Sequence, residues 1–233
     1  MNRKIVFSSG EYYHICSRGV DKRKIFLNKN DYEHFVKLLY LANSDKKFEF
    51  RETFGDNGEK GIDDIQKGQD IVSIGSWCLM TNHFHILIKE NIYPEVGPPV
   101  KGRCGISIFM QKILTAYSMY FNTKYHRKGT LFEGKFNAKH LDNDNYLKYQ
   151  FAYIHLNPIS MIDSGWKKKE VTDFEKAKEF LSKYKYSSYL DYLGMDRQEG
   201  KIINKGVFPE YFETSTDFSE MIDEWVTFSK DNV

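Results

Sequence analysis

The stretch Trp77-Cys78-Leu79-Met80-Thr81-Asn82-His83-Phe84-His85-Ile86-Leu87-Ile88 decides the fold, because it contains two apolar runs joined by a polar turn. The first run alternates as a strand from Ile71, Thr81-Asn82 form the turn, and the second run returns as the antiparallel neighbour. Successive side chains of a strand point to opposite faces, so His83 and His85 share one face. Two imidazoles on one face are a ready pair of metal ligands. An ordinary half-buried strand gives the same pattern, so partners elsewhere must decide.

The segments on either side of this hairpin predict a mixed α+β domain. The predicted elements are, in order, a strand over Tyr12 to Ser17, a helix capped by Asn30, the two strands of the hairpin, a helix over Ile106 to Lys124, an edge strand over Lys135 to Leu141, and a helix over Asn145 to Leu156 that Pro158 ends. This order matches the ferredoxin-like, split βαβ arrangement, an antiparallel sheet with helices on one face, followed here by a C-terminal helical extension. Such a sheet leaves its other face free for a site.

The composition describes a globular chain with uneven charge. Its 233 residues are 41% hydrophobic, enough for a sizeable core, and carry a net charge of +2. Lys101 to Glu170 contain twelve bases against five acids, whereas the segment from Asp196 onward contains nine acids against four bases. We therefore expect a main domain over residues 1–195 and an acidic tail of unknown role over residues 196–233. Three scattered cysteines and no long apolar run predict a cytoplasmic protein without a signal peptide or membrane span.

A second polar pair lies on the last predicted helix of the main domain. Tyr153 and Asn157 are four residues apart, a spacing that places both side chains on one helix face. Together with His83 and His85, the amide oxygen of Asn157 would hold Mg²⁺ or Mn²⁺ and leave coordination positions open for phosphate oxygens. The phenol of Tyr153 is then a candidate nucleophile.

Each of these residues also has a simpler explanation. Tyr153 is one of 16 tyrosines, and Tyr146 and Tyr149 on the same helix are rival nucleophiles, with Tyr149 one turn earlier. Asn157 before Pro158 is by itself an ordinary helix end. His155 lies two residues from both Tyr153 and Asn157 and therefore faces away from them. No comparable partner geometry is predicted for the other histidines, which are His14, His34, His126 and His140.

Three motifs occur in a consistent order along the chain. They are His83-Phe84-His85 after Asn82, then Gly129-Thr130-Leu131-Phe132-Glu133-Gly134-Lys135-Phe136, then Tyr153-Ile154-His155-Leu156-Asn157-Pro158. Together they resemble the single-tyrosine HUH transposases, and within that group the REP-associated tyrosine transposases, over roughly residues 12–157. The resemblance implies a ferredoxin-like catalytic domain in which His83 and His85 bind the metal, Asn157 is the third ligand and Tyr153 is the nucleophile. Other branches of the group have glutamine at the position of Asn157.

The resemblance also implies an activity. It is a metal-dependent transposase that cleaves and rejoins single-stranded or hairpin DNA through a 5′-phosphotyrosine intermediate, with Mg²⁺ or Mn²⁺ as cofactor, and such a protein would be associated with the nucleoid. A DNA hairpin-binding module with weak or lost cleavage and an HUH replication-initiator nickase are the alternatives. The general base, the choice between monomer and homodimer, and the use of Tyr153 in cis or in trans stay open. The residues expected to contact DNA phosphates are Arg18, Lys22, Arg23, Lys24, Arg127, Lys128, Lys135 and Lys139.

Overall fold

The computed structural model describes residues 5–55, 60–91, 104–166, 171, 173–210 and 214–228. Its strands are β1 (Tyr12–Arg18), β2 (Val72–Met80), β3 (His83–Glu90) and β4 (Asn137–His140). Its α-helices are α1 (Lys29–Ala42), α2 (Phe50–Phe54), α3 (Gly105–Lys124), α4 (Asp144–Leu156), α5 (Phe174–Lys183), α6 (Tyr189–Tyr192) and α7 (Ser215–Phe228). Short 3₁₀ turns cover Val20–Lys22, Asn157–Met161, Gln198–Ile202 and Lys205–Val207. Within the described residues, no helix combines the length and apolarity needed to cross a membrane.

The four strands form one antiparallel sheet in the order β2-β3-β1-β4. β1 lies at the centre, with Cys16 opposite His85 of β3 on one side and opposite Asn137 of β4 on the other. The first helix separates β1 from β2, and α3 separates β3 from β4. This order and these crossovers confirm the predicted ferredoxin-like α+β fold.

The two faces of the sheet pack against different helices. Phe84, Ile86 and Ile88 belong to the core covered by α1 and α3, whereas Leu87 belongs to a second core with α4 and the C-terminal helices. The expectation that the second face is free was wrong, because α4 packs across it on β2 and β3. The side chains of β3 on this face therefore lie between the sheet and α4.

The start of α1 differs from its predicted position, whereas α4 ends at Leu156 as predicted. The first helix is capped by Asn28 instead of Asn30, because the Asn28 side chain accepts the Asp31 backbone N–H while the Asp31 carboxylate accepts the Asn28 N–H. At the end of α4, Asn157 keeps helical dihedral angles (φ −54°, ψ −36°), and Pro158 lies in a 3₁₀ turn that continues from the helix. The helical path therefore continues through Asn157, one turn beyond Tyr153.

The chain after α5 covers one edge of the sheet and part of the second core. Residues 186–188 pair antiparallel with residues 77–79 of β2 through two backbone hydrogen bonds of 2.9 Å. Farther along, Phe208, Phe218 and Ile222 of the acidic segment are buried. The ring of Phe218 lies 5.2 Å from that of His155 on α4. The described part of the acidic segment is thus packed onto the sheet and α4.

Substituting Gly75 tests this packing. Gly75 lies at an irregularity in the β2–β3 register, and a Cβ there would be 2.6 Å from the ring of Phe208, which itself packs on Tyr12 with ring centroids 5.2 Å apart. We expect Gly75→Ala to lower the free energy of unfolding by about 1–3 kcal/mol, because the buried ring has to move. Urea unfolding measures the change in the free energy of unfolding. Gly206→Ala is the control, since its Cβ would meet nothing closer than 3.9 Å, and equal losses in both variants would contradict the packing.

Candidate functional site

The turn between β2 and β3 fixes the position of the two histidines. The backbone carbonyls of Thr81 and Asn82 accept N–H groups from residues 19–26 at 2.9–3.2 Å, so the loop after β1 holds the turn. His83 and His85 follow at the start of β3, and their rings are 4.9 Å apart. The side chain of His83 is half-buried and that of His85 is 6% exposed. The shared orientation predicted from strand alternation is confirmed.

A hydrogen bond from the turn sets the tautomer of His83. The Asn82 Nδ2 group donates to the Lys22 carbonyl at 3.1 Å, which directs the Asn82 Oδ1 atom toward His83 Nδ1, 2.6 Å away. Because an amide oxygen only accepts, His83 Nδ1 carries the proton. The Nε2 atom of neutral His83 is then the basic nitrogen, the form in which histidine binds metals.

His14 of β1 joins the two histidines of β3, and the statement that it has no comparable partner geometry was wrong. His14 Nε2 and His85 Nδ1 are 2.8 Å apart, and the two rings are nearly parallel with centroids 5.0 Å apart. Sequence reasoning missed this contact although the signal was present. In a split βαβ sheet β1 lies beside β3, and strand alternation places His14 on the same face as Cys16, the residue opposite His85.

Tyr153 of α4 lies directly over these imidazoles. Its ring centroid is 5.7 Å from that of His85 and 6.3 Å from that of His14, both in edge-to-face contact. On its other sides, Tyr149 and Trp166 lie at 6.1 and 6.3 Å in near-parallel orientation. Four aromatic neighbours therefore fix the direction of the Tyr153 side chain, and the predicted proximity of Tyr153 to a β3 histidine is observed.

Asn157 provides a test of whether the site fits a metal ion. The side chain is fully buried, and neither its Oδ1 nor its Nδ2 atom has a hydrogen-bond partner among the described residues. Leaving a buried amide unsatisfied costs about 1–3 kcal/mol per group, so a missing partner is expected there. The 3₁₀ turn that Asn157 opens packs on β2, the neighbour of β3. An amide oxygen and imidazoles are donor types that suit a divalent cation.

The donor set contains only two residues of the types that most often bind metals. Within the described part of the chain, no group of three or more His, Cys, Asp or Glu side chains could hold a metal ion. Binding would therefore depend on the amide of Asn157 and on oxygen ligands from outside the protein.

Two other residues of α4, Tyr149 and His155, lie in different surroundings from Tyr153. Tyr149 is 40% exposed, and burial, together with the neighbouring phenols of Tyr153 and Tyr146, raises its pKa, so its phenolate is harder to form. His155 points into the second core, where its Nε2 atom is 2.8 Å from Ser188 Oγ. Burial lowers the pKa of His155 to about 3, so this imidazole is neutral. The prediction that His155 faces away from Tyr153 is confirmed.

Two of the predicted DNA-contacting residues share the face of the histidines. Arg18 is exposed and lies opposite His83 in the sheet register. Lys139 of β4 lies opposite His14, with its ammonium group 4.2 Å from the ring centroid of Tyr146 on α4. These cations lie on the two sides of the imidazole cluster. A sugar–phosphate backbone that crosses the cluster would pass both of them.

The other basic residues lie in two segments that are joined by backbone hydrogen bonds. The amide of Val20 donates to the carbonyl of Leu131 at 3.0 Å, so the loop after β1 runs beside residues 131–133. Arg23 and Arg127 are partly used within the protein, because they donate to Val20 O and Asn122 Oδ1. The exposed members of this group are Lys22, Lys24, Lys128 and Lys135.

Comparisons with known proteins give similarities of fold. No family model and no curated protein matches the chain. The structure is similar to that of a REP-associated tyrosine transposase bound to a REP hairpin, with 14% identity, a TM-score of 0.47, and coverage of 85% of this chain and 90% of that chain. It is also similar to a bacterial tRNA(His) guanylyltransferase-like protein in complex with GTP and with ATP. Those structures are 12% identical, have TM-scores of 0.39 and 0.40, and cover 71% and 78% of this chain and 73% and 72% of theirs.

Proposed function

We propose that this protein is a metal-dependent DNA strand transferase that cleaves single-stranded or hairpin DNA through Tyr153. One observation carries the proposal: the phenol ring of Tyr153 is held edge-on against the imidazoles of His85 and His14, in a cluster flanked by exposed cations. A nucleophile fixed beside groups that can bind a phosphate or its counter-ion is the arrangement that phosphoryl transfer requires.

The reaction proposed for this site exchanges one phosphate ester for another. The Oη atom of Tyr153 attacks the phosphorus of a DNA phosphodiester, the bond from phosphorus to the 3′-oxygen breaks, and a 5′-phosphotyrosine forms. The proton lost from Oη is balanced by the proton gained by the departing 3′-hydroxyl. Because the number of ester bonds is unchanged, a later attack by another 3′-hydroxyl can rejoin the strand.

The residues of the chain would contribute positioning and charge. Trp166 and Tyr149 both lie nearly parallel to the Tyr153 ring and restrict it, so that little rotational freedom is lost when the phosphate arrives. His83, His85 and Asn157 are the residues that would hold Mg²⁺ or Mn²⁺. When bound, that ion supplies Lewis-acid polarisation of the phosphodiester.

Arg18 tests how DNA lies on the sheet. Because its guanidinium is exposed beside His83, we expect Arg18→Ala to weaken the binding of single-stranded DNA about 10-fold and to reduce the slope of log K against log salt by about 0.7. Fluorescence anisotropy at several salt concentrations measures both values. Lys47→Ala removes another exposed charge, located after the C-terminal end of α1, and should change neither value. Matching losses in the two variants would mean that contact with DNA is unspecific.

The covalent intermediate gives the direct test of function. The protein is incubated with labelled single-stranded hairpin oligonucleotides and Mg²⁺ or Mn²⁺, and adducts are resolved by denaturing electrophoresis. We expect a labelled protein band that depends on the metal and disappears with a chelator. Binding without an adduct across a panel of hairpins would contradict strand transfer and identify a hairpin-binding module instead.

A further inference from the structure

The two histidines of β3 are anchored through the same ring nitrogen. His83 Nδ1 lies 2.6 Å from Asn82 Oδ1, and His85 Nδ1 lies 2.8 Å from His14 Nε2. In each ring the remaining nitrogen is therefore Nε2. For His83 the position of the proton follows from the Asn82 amide oxygen, which can only accept. For His85 it depends on whether His14 or His85 donates the hydrogen bond between them.

We propose that His14 is a positioning residue for His85, accepting the Nδ1–H of that ring through its own Nε2 atom. The proton then lies on His85 Nδ1, and the Nε2 atom keeps its lone pair. Both β3 histidines would share one tautomer, each set by a neighbour outside the pair. This inference rests on the proposed function, because it gives a reason for the two rings to be held alike.

The contacts of His14 are more specific than packing alone requires. The sheet register makes His14 the diagonal neighbour of His85, the two ring planes are nearly parallel with an angle of 18° between them, and the ring centroids of His14 and Tyr153 are 6.3 Å apart. One side chain thus contacts a proposed metal ligand and the proposed nucleophile. His14 can therefore set the distance between these two residues. An apolar residue in its place could fill the same space, but it would lack the nitrogen that accepts a hydrogen bond from His85.

The first measurement uses the metal-free wild-type protein without DNA. Long-range ¹H–¹⁵N correlation spectra at neutral pH distinguish the two neutral tautomers of each histidine. We expect His85 to carry its proton on Nδ1, and His14→Phe, which keeps a ring but removes the nitrogen, to lose that preference. A proton on His85 Nε2 in the wild-type protein would overturn the proposal.

The second measurement is the affinity for Mn²⁺ alone, followed by electron paramagnetic resonance. We expect His14→Phe to weaken binding about 10–100-fold, the usual cost of removing a residue that orients a ligand. His14→Gln, whose side-chain amide can place an acceptor near the former Nε2 position, should recover part of the loss. The matched control is His140→Phe: His140 also lies on the sheet, but its ring packs on Tyr13 and its Nε2 atom pairs with Glu11.

The outcomes separate this proposal from the proposed function. Equal Mn²⁺ affinity in the wild-type protein and His14→Phe, or an equal fall in His140→Phe, would overturn the role of His14 even where the wild-type protein forms the DNA adduct. Conversely, a His14-dependent tautomer and Mn²⁺ affinity would support the role even where no adduct forms, since neither readout involves DNA.

Discussion

Replacing Tyr153 by phenylalanine should abolish the covalent protein–DNA adduct while leaving DNA binding nearly unchanged. The substitution removes one oxygen atom and keeps the ring, so the contacts with His85, His14 and Trp166 persist. Loss of a nucleophile typically costs several orders of magnitude in rate, and we expect adduct formation to fall by at least ~10³-fold. Time courses with a labelled hairpin oligonucleotide, together with anisotropy measurements of binding, give both quantities.

Tyr149→Phe is the matched control for this experiment. Tyr149 lies one turn earlier on α4, is more exposed and stacks directly on Tyr153. Its variant should form the adduct at a rate within a few-fold of the wild-type protein. An adduct that survives in Tyr153→Phe but disappears in Tyr149→Phe would transfer the role of nucleophile to Tyr149.

Replacing Asp31 by asparagine should destabilise the protein by about 3–5 kcal/mol, the usual cost of removing one partner from a buried charge pair. The Asp31 carboxylate is fully buried, and it accepts a hydrogen bond from Lys124 Nζ at 2.7 Å and others from the phenols of Tyr120 and Tyr125 at 2.9 and 2.7 Å. It also accepts the backbone N–H of Leu27 at 2.7 Å. An amide of the same shape cannot accept all of these donors. Chemical unfolding measures the loss.

The effect of Asp31 should depend on pH. Burial raises the pKa of this carboxyl, but the hydrogen bonds from Lys124, Leu27, Tyr125 and Tyr120 together outweigh it and bring the pKa below its ordinary value of 3.8. A carboxyl with a lowered pKa stabilises the folded state above its unfolded pKa and loses that contribution as the pH falls through the folded pKa. The difference between the wild-type protein and Asp31→Asn should therefore shrink below about pH 4.

Asp21→Asn is the control for the charge itself. Asp21 is 84% exposed and 3.9 Å from Arg23, so its removal should change the free energy of unfolding by less than about 0.5 kcal/mol at any pH. A loss for Asp31→Asn no larger than that of Asp21→Asn would show that the buried network contributes little.

The sheet was predictable because its signals are local. The hairpin is encoded by alternation on both sides of Thr81-Asn82, and the order of strands and helices then allows few topologies. The start of α1 was not predictable, since Asn28 and Asn30 are each followed three residues later by an acidic residue, so that either could cap the helix. Asn28 is the cap because its partner Asp31 accepts hydrogen bonds from residues of α3 that are about ninety positions away. No local sequence pattern contains these contacts.

The candidate site was predictable in part for the same reason. The alignment of His83 with His85, and of Tyr153 with Asn157, follows from the periods of a strand and a helix. The contact between His14 and His85 depends on which strands become neighbours and on the direction of two side chains. The helical conformation of Asn157 contradicts the usual effect of a following proline, and the 3₁₀ turn that accommodates Pro158 is stabilised by packing on β2.

The pairing of residues 186–188 with β2 also affects how copies of the chain can associate. An unpaired strand edge invites another chain to add a strand, which leads to aggregation or to dimers built through a shared sheet. Here residues 77–79, near the C-terminal end of β2, are paired with the chain's own backbone. The opposite edge is β4, which is only four residues long and exposes Lys139. Short length and an exposed lysine are both features that discourage such growth, so within the described residues neither edge of the sheet favours fibre-like assembly.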